Sequence, residues 1–353
     1  MIQDIVFDQR GGLGLITINK PGSLNAMNLV MIESVTAKLG RWTKDEDIHA
    51  VLLQGAGDRA FCAGGDIRDL YFQKGTDFGR RYYLAEYCLD IAIKRFPKPF
   101  LVIMDGVTMG GGVGLSVYAS FRIATERTQF AMPETGIGLF PDVGASWFLN
   151  QCPGELGMML ALTGMSLNAA DTLYAGIADH YVLSSSVARL IDDLTSVPKL
   201  EPAGIYEIVR AHESDCGPSM LAKRQLEIDR QYSAESLEDI IFSLMEERSD
   251  WAKVQLNTLS QMSPTSLGVT FRQMHEGKAH QCMENAIAVE YRLAVRFYEG
   301  HDFFEGVRAA VIDKDRSPKW QPAHIRDLSE ADINTYFCPL DDEPNFYIDL
   351  EST

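Results

Sequence analysis

Apolar residues recur at two periods along this chain. Residues 2–8 (with Ile2, Ile5 and Phe7) and 13–19 alternate or run apolar around the turn Gln9–Gly12, which predicts two paired strands. Residues 28–42 switch to helical spacing, with Leu29, Ile32, Val35 and Leu39 on one stripe. Residues 49–54 form a short β run, residues 66–71 open a helix, and residues 80–96 read as a helix with aromatic and aliphatic residues on one face. A buried strand at 100–104 precedes residues 113–120, which are apolar nearly all round and so predict a buried helix. Strands at 121–125 and 128–132 repeat the same strand, strand, helix cadence. Pro141 suits the first turn of a helix reaching Leu149, and residues 167–175 form a further helix capped by Ser166 or Asn168 and closed by Gly176.

This alternation to about residue 185 predicts an α/β core. After Ser184 the texture changes to long amphipathic helices broken at Pro202, Pro218 and Pro264. The expected organisation is therefore a core over residues 1–195 and a mostly helical C-terminal region over 196–353, placed to complete any pocket in the core and to offer an oligomer interface. No internal repeat or low-complexity tract interrupts it.

Composition narrows the classes of function. With 353 residues, 46% of them hydrophobic, the chain reads as an ordinary soluble globular protein. A formal charge of -17 argues against nucleic acid or an anionic membrane as partner, since both need a basic footprint. No apolar run approaches the ~20 residues of a membrane span, and no Arg-rich or apolar leader precedes the first strand pattern. Six cysteines without a C-x-x-C pair suit free thiols in a reducing compartment, so a cytoplasmic protein is expected. No metal is expected, because the nearest histidine pair, His275 and His280, is one residue too far apart to share a helix face.

Three stretches carry candidate chemistry: A-F-C-A-G-G-D-I-R-D-L (Ala60 to Leu70), M-G-G-G-V-G-L-S (Met109 to Ser116) and M-P-E-T-G-I-G-L-F-P-D-V-G (Met132 to Gly144). Backbone N–H groups at glycine-rich helix starts can hold an oxygen that becomes negative, which makes Gly65 and Gly111 the candidate donors. Either cluster alone also reads as a tight strand-to-helix turn. Glu134 is a candidate base or nucleophile. Asp142, expected in the first turn of the helix after Pro141, is the candidate second acid, although a helix dipole alone would favour an acid there. A dinucleotide loop lacks its ribose-binding acid, and Ser116 lacks both the nucleophile elbow and a histidine base. Cys62 reads as a small buried residue, and Met109, Met158 and Met159 as core.

The strings N-K-P-G-S-L-N-A-M (Asn19 to Met27), A-F-C-A-G-G-D-I (Ala60 to Ile67), the triple glycine 110–112 and Q-F-A-M-P-E (Gln129 to Glu134) resemble the crotonase (enoyl-CoA hydratase/isomerase) superfamily. Within it the chain is most similar to 3-hydroxyisobutyryl-CoA hydrolases, through P-E-T-G-I-G-L-F-P-D-V-G-A-S (Pro133 to Ser146), S-P-T-S-L (Ser263 to Leu267) and E-G-V-R-A-A-V-I-D-K-D-R-S-P-K-W (Glu305 to Trp320). The resemblance implies a spiral of ββα units, a coenzyme A thioester substrate with no further cofactor, and an oxyanion hole from the amides of Gly65 and Gly111. It implies that the adenine end lies against Leu24, Ala26, Ala63, Gly65, Asp66 and Ile67, with Lys314 and Arg316 as phosphate contacts or else a solvated basic turn, and that the chain forms trimers or hexamers unless its helical C-terminal region covers or replaces that interface. Where hydratases of the superfamily carry a second catalytic glutamate two residues beyond the triple glycine, this chain has Gly114, while Asp142 fits the hydrolase pattern. The expected reaction is hydrolysis of a short 3-hydroxyacyl-CoA, chiefly 3-hydroxyisobutyryl-CoA in valine breakdown, with 3-hydroxypropionyl-CoA as a second candidate. Glu134 would activate water or attack the carbonyl to give an anhydride, and Asp142 would orient the water, the substrate hydroxyl or Glu134. A hydratase or isomerase of the same fold and a non-catalytic CoA-binding protein are the rivals.

Overall fold

The alternation of apolar residues in the first half is used twice over, because the main sheet is buried on both faces. The computed structural model describes residues 3–346. Strands β1 (Ile5–Arg10) and β2 (Leu13–Ile18) form an antiparallel hairpin, followed by helix α1 (Leu29–Lys44), whose start is capped by the Asn28 side chain. The expected first strand thus begins later than residue 2, and Ile2 lies outside the described residues.

Three turns of a spiral come next. Each contributes one strand to a large sheet and one to a small sheet: β3 (Ala50–Gly55) with β4 (Ala60–Cys62), β5 (Phe100–Met104) with β6 (Val107–Met109), and β7 (Phe121–Ala124) with β8 (Gln129–Ala131). Helices α2 (Ile67–Phe72) and α3 (Phe78–Lys94) close the first turn, and α4 (Gly111–Val117) closes the second. In the third, a single 3-10 turn (Glu134–Ile137) is followed by the short helix α5 (Ala145–Phe148), then α6 (Leu156–Thr163) and α7 (Ala169–Tyr174). With β9 (His180–Tyr181) the large sheet has the order β1-β2-β3-β5-β7-β9, parallel from β2 onward, and the small sheet is β4-β6-β8. Strands β4 and β6 lead into the two glycine clusters, as the strand-to-helix reading of those turns requires, but the pattern did not set their bounds, since three residues are too few to show a period.

On the large sheet, Val51, Leu53, Val102 and Met104 point to an inner core, while Leu52, Leu101 and Ile103 point to an outer one. The outer face is covered by α8 (Val187–Thr195) and α9 (Pro202–Ala211), through Leu190, Leu194, Ile205 and Val209. The inner core continues without a break into α10 (Gln225–Tyr232), α11 (Leu237–Glu247), α12 (Asp250–Gln261), α13 (Pro264–Gly277), α14 (Met283–Glu299), α15 (Asp302–Val307) and α16 (Glu330–Phe337). In this arrangement α14 packs on α3, α13 on α6, and α15 on the 3-10 turn that carries Glu134. The helix expected from Pro141 begins only at Ala145, because Val143 (φ 54°) and Gly144 (φ 82°) are left-handed and break helical geometry before it. No helix among the described residues is long and apolar enough to cross a membrane.

Candidate active site

The site grows from the ends of the small sheet. Beyond β4 the chain runs through Gly64 and Gly65, and Gly65 pairs with Met27: the Met27 amide donates to Gly64 O (2.9 Å) and the Asp66 amide to Met27 O (2.7 Å). Alternation along an extended chain turns the Gly65 N–H to the other side. The Gly111 N–H opens α4, where the first amides of a helix have no intrahelical acceptor. The two donors are neighbours, since a Cβ built on Gly111 would lie 3.3 Å from the Gly65 nitrogen. That same Cβ would lie 2.1 Å from Glu86 Oε1, and one on Gly110 would lie 3.1 Å from Glu134 Oε1. A carboxyl group therefore stands close by each of these two glycines; at Gly111 a side chain would collide with it, and at Gly110 the left-handed φ of 52° itself favours glycine.

These groups line one cavity of about 170 Å³, together with Ala63, Ile67, Tyr82, Tyr83, Met109 and Asp142. Sites that enclose whole ligands run ~300–1,000 Å³, so this one suits the reacting end of a larger molecule. Met109, expected in the core, is half-buried and forms part of the wall. Glu134 opens the 3-10 turn after Pro133 rather than ending a strand, and its Oε2 is buried with no hydrogen-bond partner. Burial and then the neighbouring Asp142 push its carboxyl well above the usual range. Asp142 is not in a helix's first turn, so the dipole is not what favours it there. It projects from an irregular loop and accepts a hydrogen bond from the Tyr87 hydroxyl at 3.0 Å. Burial, followed by the Glu290 carboxylate, raises it to about 7.

Glu86 was missed by the sequence reading. It sits on the apolar face of α3 beside Tyr82, Tyr83 and Tyr87, and burial followed by Asp142 raises its carboxyl well above the usual range. An acid on an otherwise aromatic helix face was the available signal. Cys62 is fully buried, and its thiol is pushed up to about 12, so no thiolate forms there. Among the described residues no group of three or more His, Cys, Asp or Glu side chains could hold a metal ion.

The remaining expected contacts fall around the cavity rather than in it. Leu24 and Asn25 are left-handed (φ 51° and 59°), and the Ala63 amide donates to Leu24 O at 3.0 Å, which ties the segment holding Leu24 and Ala26 to the first glycine pair. Asp66 is paired with Lys20 at 2.8 Å. Lys314 is exposed, left-handed (φ 60°) and outside the cavity wall, on a loop organised by Arg308 through Glu305, Asp313 and Asp315.

Paired glycine amides, a ββα spiral and buried acids on one small cavity define a class, and the comparisons agree with it. A family model described as enoyl-CoA hydratase/isomerase matches residues 13–337, and the chain belongs to that family, the crotonase superfamily. It is 44% identical over 345 residues to the mitochondrial 3-hydroxyisobutyryl-CoA hydrolase of Rattus norvegicus (96% of this chain, 89% of that protein) and 42% identical over 346 residues to that of Danio rerio (96% and 90%). Among solved structures, a carnitinyl-CoA dehydratase from Mycobacterium thermoresistibile superposes with a TM-score of 0.92 at 35% identity, covering 98% of this chain and 99% of that one. An enoyl-CoA hydratase from Rhodobacter sphaeroides follows at 0.89 and 34%, covering 96% and 98%. The fold is the crotonase fold.

Proposed function

We propose that this enzyme hydrolyses a short 3-hydroxyacyl-CoA thioester, 3-hydroxyisobutyryl-CoA, to the free hydroxy acid and coenzyme A, as its named hydrolase relatives do. The observation that carries this reading is the distribution of acids. Glu134 and Asp142 share the cavity with the two glycine amides, while the place of a hydratase's second glutamate is closed: a Cβ on Gly114 would lie 2.6 Å from Asp90 Oδ1.

The thioester oxygen accepts from the Gly65 and Gly111 amides, which hold the negative charge as it develops. In one route Glu134 takes a proton from water as the hydroxide adds to the carbonyl carbon. The tetrahedral intermediate collapses, the C–S bond breaks, and the proton passes to the departing thiolate. In the other, the Glu134 carboxylate adds directly, coenzyme A leaves, and water opens the anhydride. Asp142 orients the water, the substrate hydroxyl or Glu134 in either route. The nucleotide runs from the cavity's rim at Ala63 and Ile67 out along Leu24, Ala26 and Asp66, with Lys314 toward a phosphate. Its binding energy pays for ordering the acyl end.

The test is release of free coenzyme A from 3-hydroxyisobutyryl-CoA by the wild type, Glu134→Gln and Asp142→Asn, with crotonyl-CoA hydration followed in parallel. Turnover that drops ~10²- to 10⁴-fold in Glu134→Gln, as for loss of a general base, supports the assignment. Hydration of crotonyl-CoA without release of coenzyme A supports the second reading, a hydratase, the activity that the name of the Rhodobacter sphaeroides relative carries. A place in valine breakdown, a trimeric or hexameric assembly and a cytoplasmic location belong to the same proposal. The relatives' names instead carry a mitochondrial label, so fractionation decides the compartment.

A further inference from the structure

The loop that presents Asp142 is held in an unfavourable shape by distant residues. Val143 is β-branched and fully buried, yet has φ 54°, a genuine outlier for such a side chain, and Gly144 follows at φ 82°. Glycine suits φ 82° and the Ala145 amide closes the turn on Asp142 O at 3.0 Å, but neither relieves the β-branched Val143. The polar groups on either side are instead taken up by other elements. Glu290, on α14 and 0% exposed, accepts from the Gly144 amide (2.5 Å) and from the Ser146 amide (3.1 Å) and hydroxyl (2.8 Å). The Tyr118 hydroxyl, at the end of α4, donates to Val143 O at 2.6 Å. The Gln273 amide, on α13, bridges Glu290 Oε1 (3.0 Å) and Pro141 O (2.8 Å).

We infer that Glu290 is a positioning residue for the reaction: with Tyr118 it clamps the left-handed Val143–Gly144 turn and so aims the Asp142 carboxyl into the cavity. Glu290 does not line that cavity and touches no reacting atom; it acts through Asp142. A carboxylate suits the task because it only accepts, and three donors from the loop plus one from Gln273 converge on it. Glutamine keeps the shape but places an N–H₂ among donors. The inference rests on the proposed role of Asp142.

The experiment is a double-mutant cycle on hydrolysis of 3-hydroxyisobutyryl-CoA, using Glu290→Gln, Asp142→Asn and the pair. Misplacing a reacting group by about 1 Å can cost ~10²-fold, so Glu290→Gln is expected to lower kcat by ~10- to 10²-fold with KM changed less than about threefold. In the Asp142→Asn background the same substitution should cost nothing further. Equal losses in both backgrounds, or a change confined to KM, would overturn the inference. If Asp142→Asn alone leaves kcat intact, the reading of Asp142 fails first and the clamp falls with it; if Asp142→Asn is impaired and Glu290→Gln is not, only the clamp fails. Should Glu290→Gln not fold, Tyr118→Phe removes just the hydroxyl on the other side of the turn. It must then also lower kcat, by less than ~10-fold, with no further loss when Asp142 is already Asn; any other pattern counts against the clamp.

Discussion

The charge of Asp142 bears directly on Glu134. Asp142 rises to about 7 through burial and Glu290, and its own charge is, after burial, what raises Glu134. The two therefore titrate as a coupled set. A base or nucleophile that must be ionised gives activity that rises with pH, and Asp142→Asn removes the neighbouring charge that opposes ionisation of Glu134. In that variant the acid limb of kcat/KM should move to lower pH even as the maximum falls, which rates measured from pH 5 to 9 would reveal. A limb that stays in place would mean that Asp142 does not set the ionisation of Glu134. The sequence exposed both acids because each sits in a distinctive string with glycines around it. Glu86 stayed hidden for a physical reason: the groups that give it meaning, Gly111 and Asp142, meet it only after α3 has folded across the start of α4. Along the sequence it is one acid among the tyrosines of an amphipathic helix.

The packing of α3 against α4 makes this architecture's position among relatives testable. Asp90 is fully buried, neither of its oxygens has a hydrogen-bond partner, and it fills the space beside Gly114. Restoring a glutamate through Gly114→Glu should therefore destabilise the fold by overpacking, roughly 1–3 kcal/mol. Gly114→Glu with Asp90→Ala should recover much of that loss, as read by thermal melting; equal melting temperatures with and without Asp90→Ala would show that the two residues do not compete for space. Elements of this size were legible in the sequence where a period had room to repeat, as in α1 and β5. They were not legible where tertiary contacts impose the backbone. Strands β4 and β6 are three residues each, and the left-handed Val143 depends on Glu290, which lies 146 residues away from Gly144 in the chain.

Hydrophobic packing runs across the change of texture after Ser184. One inner cluster runs from Ile5 to Phe346, and α8 and α9, on either side of residue 196, cover the same outer face of the large sheet. Sequence pattern shows which face of a helix is apolar but not which partner it meets, so it could not show that α13, α14 and α15 grip the catalytic loops. That closure buries Glu86, Asp90, Glu134 and Asp142 together, each with its carboxyl raised, burial being the first cause. In the unfolded chain these groups return to ordinary carboxylate values. The folded state thus binds more protons than the unfolded one, and the associated stability, complete below the unfolded value, is lost as pH rises, for Asp142 between 3.8 and about 7. Near neutral pH, unfolding must then acidify its surroundings. In calorimetry the apparent unfolding enthalpy should fall as the buffer's ionisation enthalpy rises, and Asp142→Asn should flatten that dependence. Enthalpies that agree between phosphate and Tris would mean the carboxyls are already ionised in the native protein. Heat taken from the buffer thus becomes a count of the protons that this enclosed set of acids keeps.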